Sequence, residues 1–220
     1  MSPVLEIRGL GYGYDARPVL ADFNLVQQMG QHRVLLGPSG SGKTTLIHLI
    51  AGLLTPKQGA VVIDGETISN LPQAKRDNLR RRKIGVVFQT LRLVGALDVT
   101  SNLLLAQRLS GQKPDRAEAK ALLGDLGLSH RAHARPRELS QGEAQRAAIA
   151  RGLIARPKLL IADEPTSALD DRNAERVSRL LLGAADAYGS TLLVATHDAR
   201  IKSFIPDAVQ LTPITETAPC

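Results

Sequence analysis

Two short runs of this 220-residue sequence carry residue types that could do chemistry on a phosphate. The first is Gly37-Pro38-Ser39-Gly40-Ser41-Gly42-Lys43-Thr44, where glycines, a lysine and a hydroxyl follow one another. Glycines let a backbone wrap tightly, so that successive N–H groups converge on anionic oxygens. At this spacing Lys43 reaches the β- and γ-phosphates of a nucleotide. The Thr44 hydroxyl suits Mg²⁺, a hard cation that takes oxygen ligands. All eight positions fit the P-loop pattern, and the implied ligand is Mg-ATP or Mg-GTP. An ordinary Gly/Ser-rich turn is the competing explanation, and the setting between a strand and a helix argues against it.

The second run, residues 159–164, is an apolar strand ending in Asp163 and Glu164. It puts two carboxylates at the C-terminal edge of a sheet, where α/β proteins bind their ligands. Asp163 suits Mg²⁺ through a water, and Glu164 can polarise a water for in-line attack on a γ-phosphate. Strand alternation is expected to aim the two side chains differently, and Pro165 to end the strand. Alone, such a pair is an ordinary solvated turn; the P-loop upstream gives it a use.

These residues need a scaffold. Residues 33–36 form a buried-type strand feeding the glycine-rich loop, and residues 44–54, with Gly52 the one breaker before Pro56, predict the helix that the loop opens. Further strands are predicted at 4–7, 23–26, 60–63, 84–88, 159–162 and 191–195. Between about 91 and 157 the strand pattern stops, and 102–109, 116–126 and 141–155 read as helices. The expectation is an α/β domain with a largely parallel sheet and a helical insertion.

Composition narrows the function classes. Apolar residues make up 43% of the chain, enough for a core, yet no run approaches the roughly 18 apolar residues of a membrane-spanning helix. The first residues show no export signal, and Cys220 stands alone and last, unable to close an internal disulfide and misplaced for a prenylation box. A cytosolic location is expected, with a frayed tail over 213–220. The formal charge of +7 favours acidic partners, although dispersed basic residues also make an ordinary solvated surface. The cluster Arg80-Arg81-Arg82-Lys83 is open to two explanations, lipid head groups or a solvated helix end.

A third run, Leu139-Ser140-Gln141-Gly142-Glu143, contains a capping box, Ser140 with Glu143 three residues on, which explains it structurally. Together with Arg146, Ala150 and Arg151, however, it resembles the signature motif of ABC ATPases, and the resemblance extends across nearly the whole chain. In order, that family's parts fall on Tyr14, the loop from Gly37 to Thr45, Gln89, the signature, Asp163-Glu164, Ser167-Ala168-Leu169-Asp170, and His197. A lone Gln89 or His197 would mean little; the joint order carries the assignment.

The resemblance implies a P-loop NTPase fold: a RecA-like core with an antiparallel β subdomain and an inserted α-helical subdomain. Residues 1–220 would be one domain, with 1–90 and 158–220 as nucleotide-binding core and 91–157 as the helical signature subdomain. It implies ATP and Mg²⁺ as ligands, Tyr14 stacking on adenine, and Gly37, Pro38, Ser39, Gly40, Ser41, Gly42, Lys43, Thr44 and Thr45 around the phosphates. Thr44, Gln89 and, through water, Asp163 would hold Mg²⁺, while Glu164 and His197 would be catalytic. Ser140, Gln141, Gly142 and Glu143 would contact an ATP held by a second copy, in a head-to-tail dimer that ATP closes, and Asp170 would communicate across the interface. Gln141 stands where the signature usually has Gly, so its side chain is expected to point away from the phosphate.

The compact length, Val87-Phe88-Gln89 and the stretch 97–102 look similar to the lipoprotein-releasing and macrolide-export type, which pairs with FtsX-like permeases. Gly95 and Ser101 depart from that type's usual Pro and Glu. The implied function is an ATP-hydrolysing subunit, peripheral on the inner face of the membrane, that drives a separate permease in export or lipoprotein release. An importer ATPase and a cell-division-linked ATPase with an FtsX-like partner are the alternatives. A DNA-repair ATPase would split its head around a long coiled coil, and no sustained heptad run is present, so no nucleic-acid partner is expected. A P-loop kinase would not need the signature.

Overall fold

In the computed structural model, residues 2–15, 17–167 and 169–214 are described. Ala168, within the 167–170 run, and residues 215–220, including Cys220 and most of the tail expected to fray, lie outside the described residues. The chain opens with β1 (Pro3–Tyr14) and β2 (Arg17–Gln28), an antiparallel pair interrupted by register shifts. Then come β3 (Arg33–Leu36), α1 (Lys43–Ile50), β4 (Gln58–Ile63), β5 (Glu66–Thr67), α2 (Gln73–Lys83) and β6 (Ile84–Val87). The helices α3 (Val99–Leu109), α4 (Arg116–Asp125) and α5 (Gln141–Leu153) follow, with two 3-10 turns between α4 and α5. The chain returns through β7 (Leu159–Asp163), α6 (Asp171–Ala187), β8 (Thr191–Thr196) and β9 (Ala208–Gln210).

The strands sort into two sheets, an antiparallel one ordered β2-β1-β4-β5 and one ordered β6-β7-β8-β3-β9 whose paired strands all run parallel. Side chains alternate across a strand, so each parallel strand feeds two cores. Leu35, Leu159, Ile161 and Leu193 face the core shared with α1 and the antiparallel sheet, where Leu46, Ile47, Ile7 and Val61 are also buried. Val34, Leu160, Ala162, Leu192 and Val194 face the other core with Leu103, Leu122, Ile149, Leu153 and Leu181 of α3 to α6. Each such buried aliphatic side chain stabilises the fold by about 1.5–3 kcal/mol, and together they fix which edge of the sheet the loops occupy.

Several expectations are corrected in detail. α1 stops at Ile50 rather than near residue 54, because the chain turns there and the N–H groups of Leu53 and Leu54 both donate to the His48 carbonyl. The first two strands run well beyond 4–7 and 23–26, since their pairing continues past the bulges that break the alternation. α2 carries one buried residue, Leu79, so it had no apolar stripe to read. The basic cluster is its last turn, where cations complement the helix dipole. Arg80 pairs there with Asp77 at 2.7 Å, and Lys83 with Glu66 at 2.7 Å and Asp64 at 3.0 Å.

The signature helix α5 touches the parallel sheet at backbone distance. A Cβ on Gly85 of β6 would stand 2.3 Å from the Gly152 carbonyl oxygen and 2.9 Å from Pro157 Cγ. Gly85→Ala is therefore expected to lower the urea-unfolding free energy by about 1–3 kcal/mol through overpacking. An unchanged unfolding midpoint would show that α5 is free to slide on β6.

Candidate functional site

Because the sheet is parallel, β3, β6, β7 and β8 all end at one edge, and each delivers a polar group there: the glycine-rich loop, Gln89, the acidic pair, and Thr196-His197. The loop feeds α1, whose N-cap is Gly42 at φ 95°, with no side chain capping the helix. That conformation suits glycine, and a Cβ would stand 2.8 Å from Val19 Cγ1. The first N–H groups of α1 have no intrahelical partner and, without a cap, are open to an anion.

Lys43 is 6% exposed, so its ammonium must be held by protein groups. Nζ donates to the carbonyls of Gly37 at 2.7 Å and Pro38 at 3.0 Å, and lies 3.3 Å from Glu164 Oε1. The P-loop and the acidic pair, 119 or more residues apart in sequence, thus meet on one charge and one hydroxyl. The hydroxyl is that of Thr44, which donates to Asp163 Oδ2 at 3.3 Å.

The two carboxylates face different surroundings. Burial pushes the Asp163 carboxyl up, partly offset by the Thr44 hydrogen bond, and its Oδ1 is buried with no hydrogen-bond partner. Burial also raises Glu164, but hydrogen bonds from His197 and Thr196, then the charges of His197 and Lys43, outweigh it and hold the carboxyl low. Thr196 Oγ1 donates to Glu164 Oε2 at 3.0 Å, and His197 Nδ1 lies 3.0 Å from the same oxygen.

The two side chains do diverge, but strand alternation is not the cause. β7 ends at Asp163, and Glu164 leaves it at φ 47°, a left-handed conformation that costs a non-glycine residue about 1 kcal/mol. Its N–H is held by the Ala195 carbonyl at 2.8 Å. Pro165 therefore follows a strand already ended.

Tyr14, at the end of β1, is 49% exposed, its hydroxyl 3.4 Å from Thr45 Oγ1 and its ring edge-on to Tyr12. Gln89 reaches Ser167 Oγ at 3.4 Å. Tyr14, Ser39, Gly40, Gly42, Lys43, Thr44, Thr45, Gln89, Glu164 and His197 line one cleft of about 460 Å³. Asp163 stands behind it, bonded to Thr44.

Ser140, Gln141 and Gly142 are not in that cleft. They line a separate cavity of about 340 Å³ with Gln145, Arg146 and Asn173. Ser140 caps α5: its Oγ accepts from the Glu143 N–H at 3.3 Å, and its own N–H donates to Glu143 Oε2 at 2.8 Å. Gln141 is exposed and is among the residues that line the cavity. Asp170 caps α6, accepting from the Asn173 N–H at 2.9 Å and its side-chain amide at 2.8 Å.

Sequence reasoning missed Thr196, which holds Glu164, although its place beside His197 at a strand end was a signal. It also missed Arg131 and His130, whose side chains reach Glu143 Oε1 at 2.8 and 3.2 Å from a turn with no motif of its own. Hydrogen bonds from Arg131 and from the Ser140 N–H and hydroxyl bring the Glu143 carboxyl down to about 2 from its ordinary 4.5. A lowered carboxyl stabilises the fold fully above its unfolded value and loses that contribution as pH falls toward the folded value. The melting-temperature gap between the natural chain and Glu143→Gln should stay level above about pH 5 and narrow below 4.5. A gap that is flat throughout this acid range would contradict the charge pairing.

Comparison with known proteins bears on this geometry. The profile of the ABC transporter family matches residues 20–167. An uncharacterized ABC transporter ATP-binding protein of Mycobacterium tuberculosis is 41% identical over 203 residues, 91% of this chain; the chain spans 61% of that relative's length. The lipoprotein-releasing system ATP-binding protein LolD of Geobacter metallireducens is 38% identical over 217 residues, 96% of both chains. Among solved structures, the dimeric post-hydrolysis state of the ATP-binding cassette MJ0796 bound to ADP and Pi superposes with a TM-score of 0.84 at 30% identity, covering 96% of this chain and 97% of that one. CbiO1 from Clostridium perfringens, part of the cbiONQ transporter complex, gives 0.85 at 28% identity, covering 98% and 88%.

Proposed function

The chain belongs to the ABC transporter ATP-binding family, and on that premise we propose that it hydrolyses ATP in a head-to-tail pair of copies that drives a separate membrane permease. The observation that carries this reading is the separation of the two anion-ready surfaces. The P-loop and acidic pair line one cleft, and the signature lines another. A nucleotide in the first cleft of one copy would be completed by the signature of the other, where Ser140, the Gly142 N–H and the positive end of α5 make a second cradle.

Within the first cleft, phosphate oxygens would compete with the Gly37 and Pro38 carbonyls for Lys43, and Tyr14 offers an exposed ring for the base. The partnerless Asp163 Oδ1, the Thr44 hydroxyl and the Gln89 amide form a hard, oxygen-rich edge that fits Mg²⁺, with Asp163 acting through water. Such an ion would take most of its other ligands from phosphate and water. When bound, Mg²⁺ would neutralise charge developing on the phosphates. Glu164, kept ionised by its neighbours, would draw a proton from the attacking water as that oxygen bonds to the γ-phosphorus and the bond to the β–γ bridging oxygen breaks. His197, which already orients Glu164, would hold the γ-phosphate. Loss of the γ-phosphate would remove what the second copy closes upon.

Among the described residues no helix is long and apolar enough to cross a membrane. The likeness to a lipoprotein-releasing ATPase along 96% of both chains supports an FtsX-like permease as the partner, on the inner face of the membrane, with export or lipoprotein release as the work done. Residues 91–157 would be the unit that carries the signature toward the opposing nucleotide, and Asp170, capping α6 beside that cavity, would relay the closure.

Glu164→Gln should keep the cradle and lose the base. By size-exclusion chromatography with light scattering it is expected to be a dimer with ATP and a monomer with ADP, and its steady-state turnover should fall by about 100-fold or more. A monomer with both nucleotides would contradict the reading. Lys43→Ala should lose ATP binding, seen as no thermal shift with ATP.

A further inference from the structure

Glu143 sets a full negative charge on the first turn of α5, at the helix end that must receive an anion. The helix dipole supplies only about half a positive charge there, so an uncompensated carboxylate would more than cancel it. The carboxylate is not uncompensated. Its Oε1 accepts from Arg131 Nε at 2.8 Å and lies 3.2 Å from His130 Nε2, and its Oε2 accepts from the Ser140 N–H at 2.8 Å and the Ser140 hydroxyl at 2.9 Å. The Glu143 side chain is 10% exposed, so water screens it poorly.

Arg131 reaches it from the 3-10 turn Ser129–Arg131, which the fully buried Leu128 anchors and whose Arg131 N–H donates to the Leu128 carbonyl at 2.9 Å. The Arg131 side chain as a whole is 41% exposed, so its charge sits at the surface from which a partner would approach.

We infer that Arg131 is a positioning residue of the composite ATP site: it offsets the charge of Glu143 and holds that carboxylate by one oxygen, so that the Ser140 hydroxyl and the α5 N-terminus can turn to a phosphate. This rests on the reading that the signature contacts an ATP held by a second copy. It gives the Arg131–Glu143 pair a task distinct from stability. Without Arg131 the carboxylate would repel the incoming γ-phosphate and keep the Ser140 proton for itself.

The test uses the full chain carrying Glu164→Gln, with the ATP concentration for half-maximal dimer read by light scattering. Arg131→Ala should raise that concentration by about tenfold, the size of one unit-charge interaction across a partly wet interface. Arg131→Lys, which keeps the charge, should stay within about threefold of the starting protein. Adding Glu143→Gln to Arg131→Ala should bring the value back to within about twofold of Glu143→Gln alone, as coupled residues must behave. A turn that merely lost its fastening would not be rescued by removing a charge on α5. An Arg131→Ala protein that dimerises like its parent, an Arg131→Lys protein as impaired as Arg131→Ala, or a double variant no better than Arg131→Ala would each overturn the inference alone. A Glu164→Gln parent that stays monomeric with ATP would overturn it together with the composite-site reading.

Discussion

A buried ammonium is the constraint on which the site depends. Lys43 cannot keep its charge in the interior unless acceptors surround it. The acceptors it has come from two places: the carbonyls of its own loop and a carboxylate from the far end of β7. For these to meet, β3 and β7 must end at the same edge of one sheet, with β8 between them. The parallel sheet, the two cores that alternation feeds and the left-handed turn at Glu164 all serve that meeting. β8 then supplies Thr196 and His197 to the same carboxylate, which keeps it ionised despite its burial.

The second anion-ready surface is built on different physics. Among the described residues the nucleotide-type cleft and the cavity at α5 share no lining residue, and α5 is placed by the Gly85–Gly152 backbone contact and by the helical core. Its N-terminus is closed by its own capping box, with a carboxylate that Arg131 pairs with and His130 contacts. A helix end so arranged is stable by itself, yet it presents Ser140 and Gly142 to a cavity no other part of the cleft shares. Division of the donors between two cavities is the observation on which the proposed two-copy function rests.

Much of this was legible in the sequence because the motifs are short and local. The glycine-rich loop between a strand and a helix, the carboxylates at a strand end and the capping box of α5 each rest on neighbours in the chain, and the parallel sheet follows from the order of apolar runs. What could not be read depends on contacts across long separations or on conformations without a sequence signal. α2 was hidden because only Leu79 is buried. The φ of Glu164 is set by a hydrogen bond from its N–H to Ala195 on the neighbouring strand. Arg131 acquires its partner only when the turn after α4 folds against α5, and one arginine among 28 basic residues gives no hint of that.

The central claim, that one working site is shared between two copies, is tested most directly by mixing two inactive proteins. Lys43→Ala disables the cis cleft, and Gly142→Asp places a charge in the signature cradle, where a Cβ has room beside Arg146. A mixed pair would contain one site with both lesions and one with neither, so equal mixing with random pairing should restore about a quarter of the ATPase activity of the unaltered chain. A mixture no more active than either protein alone would contradict the shared site.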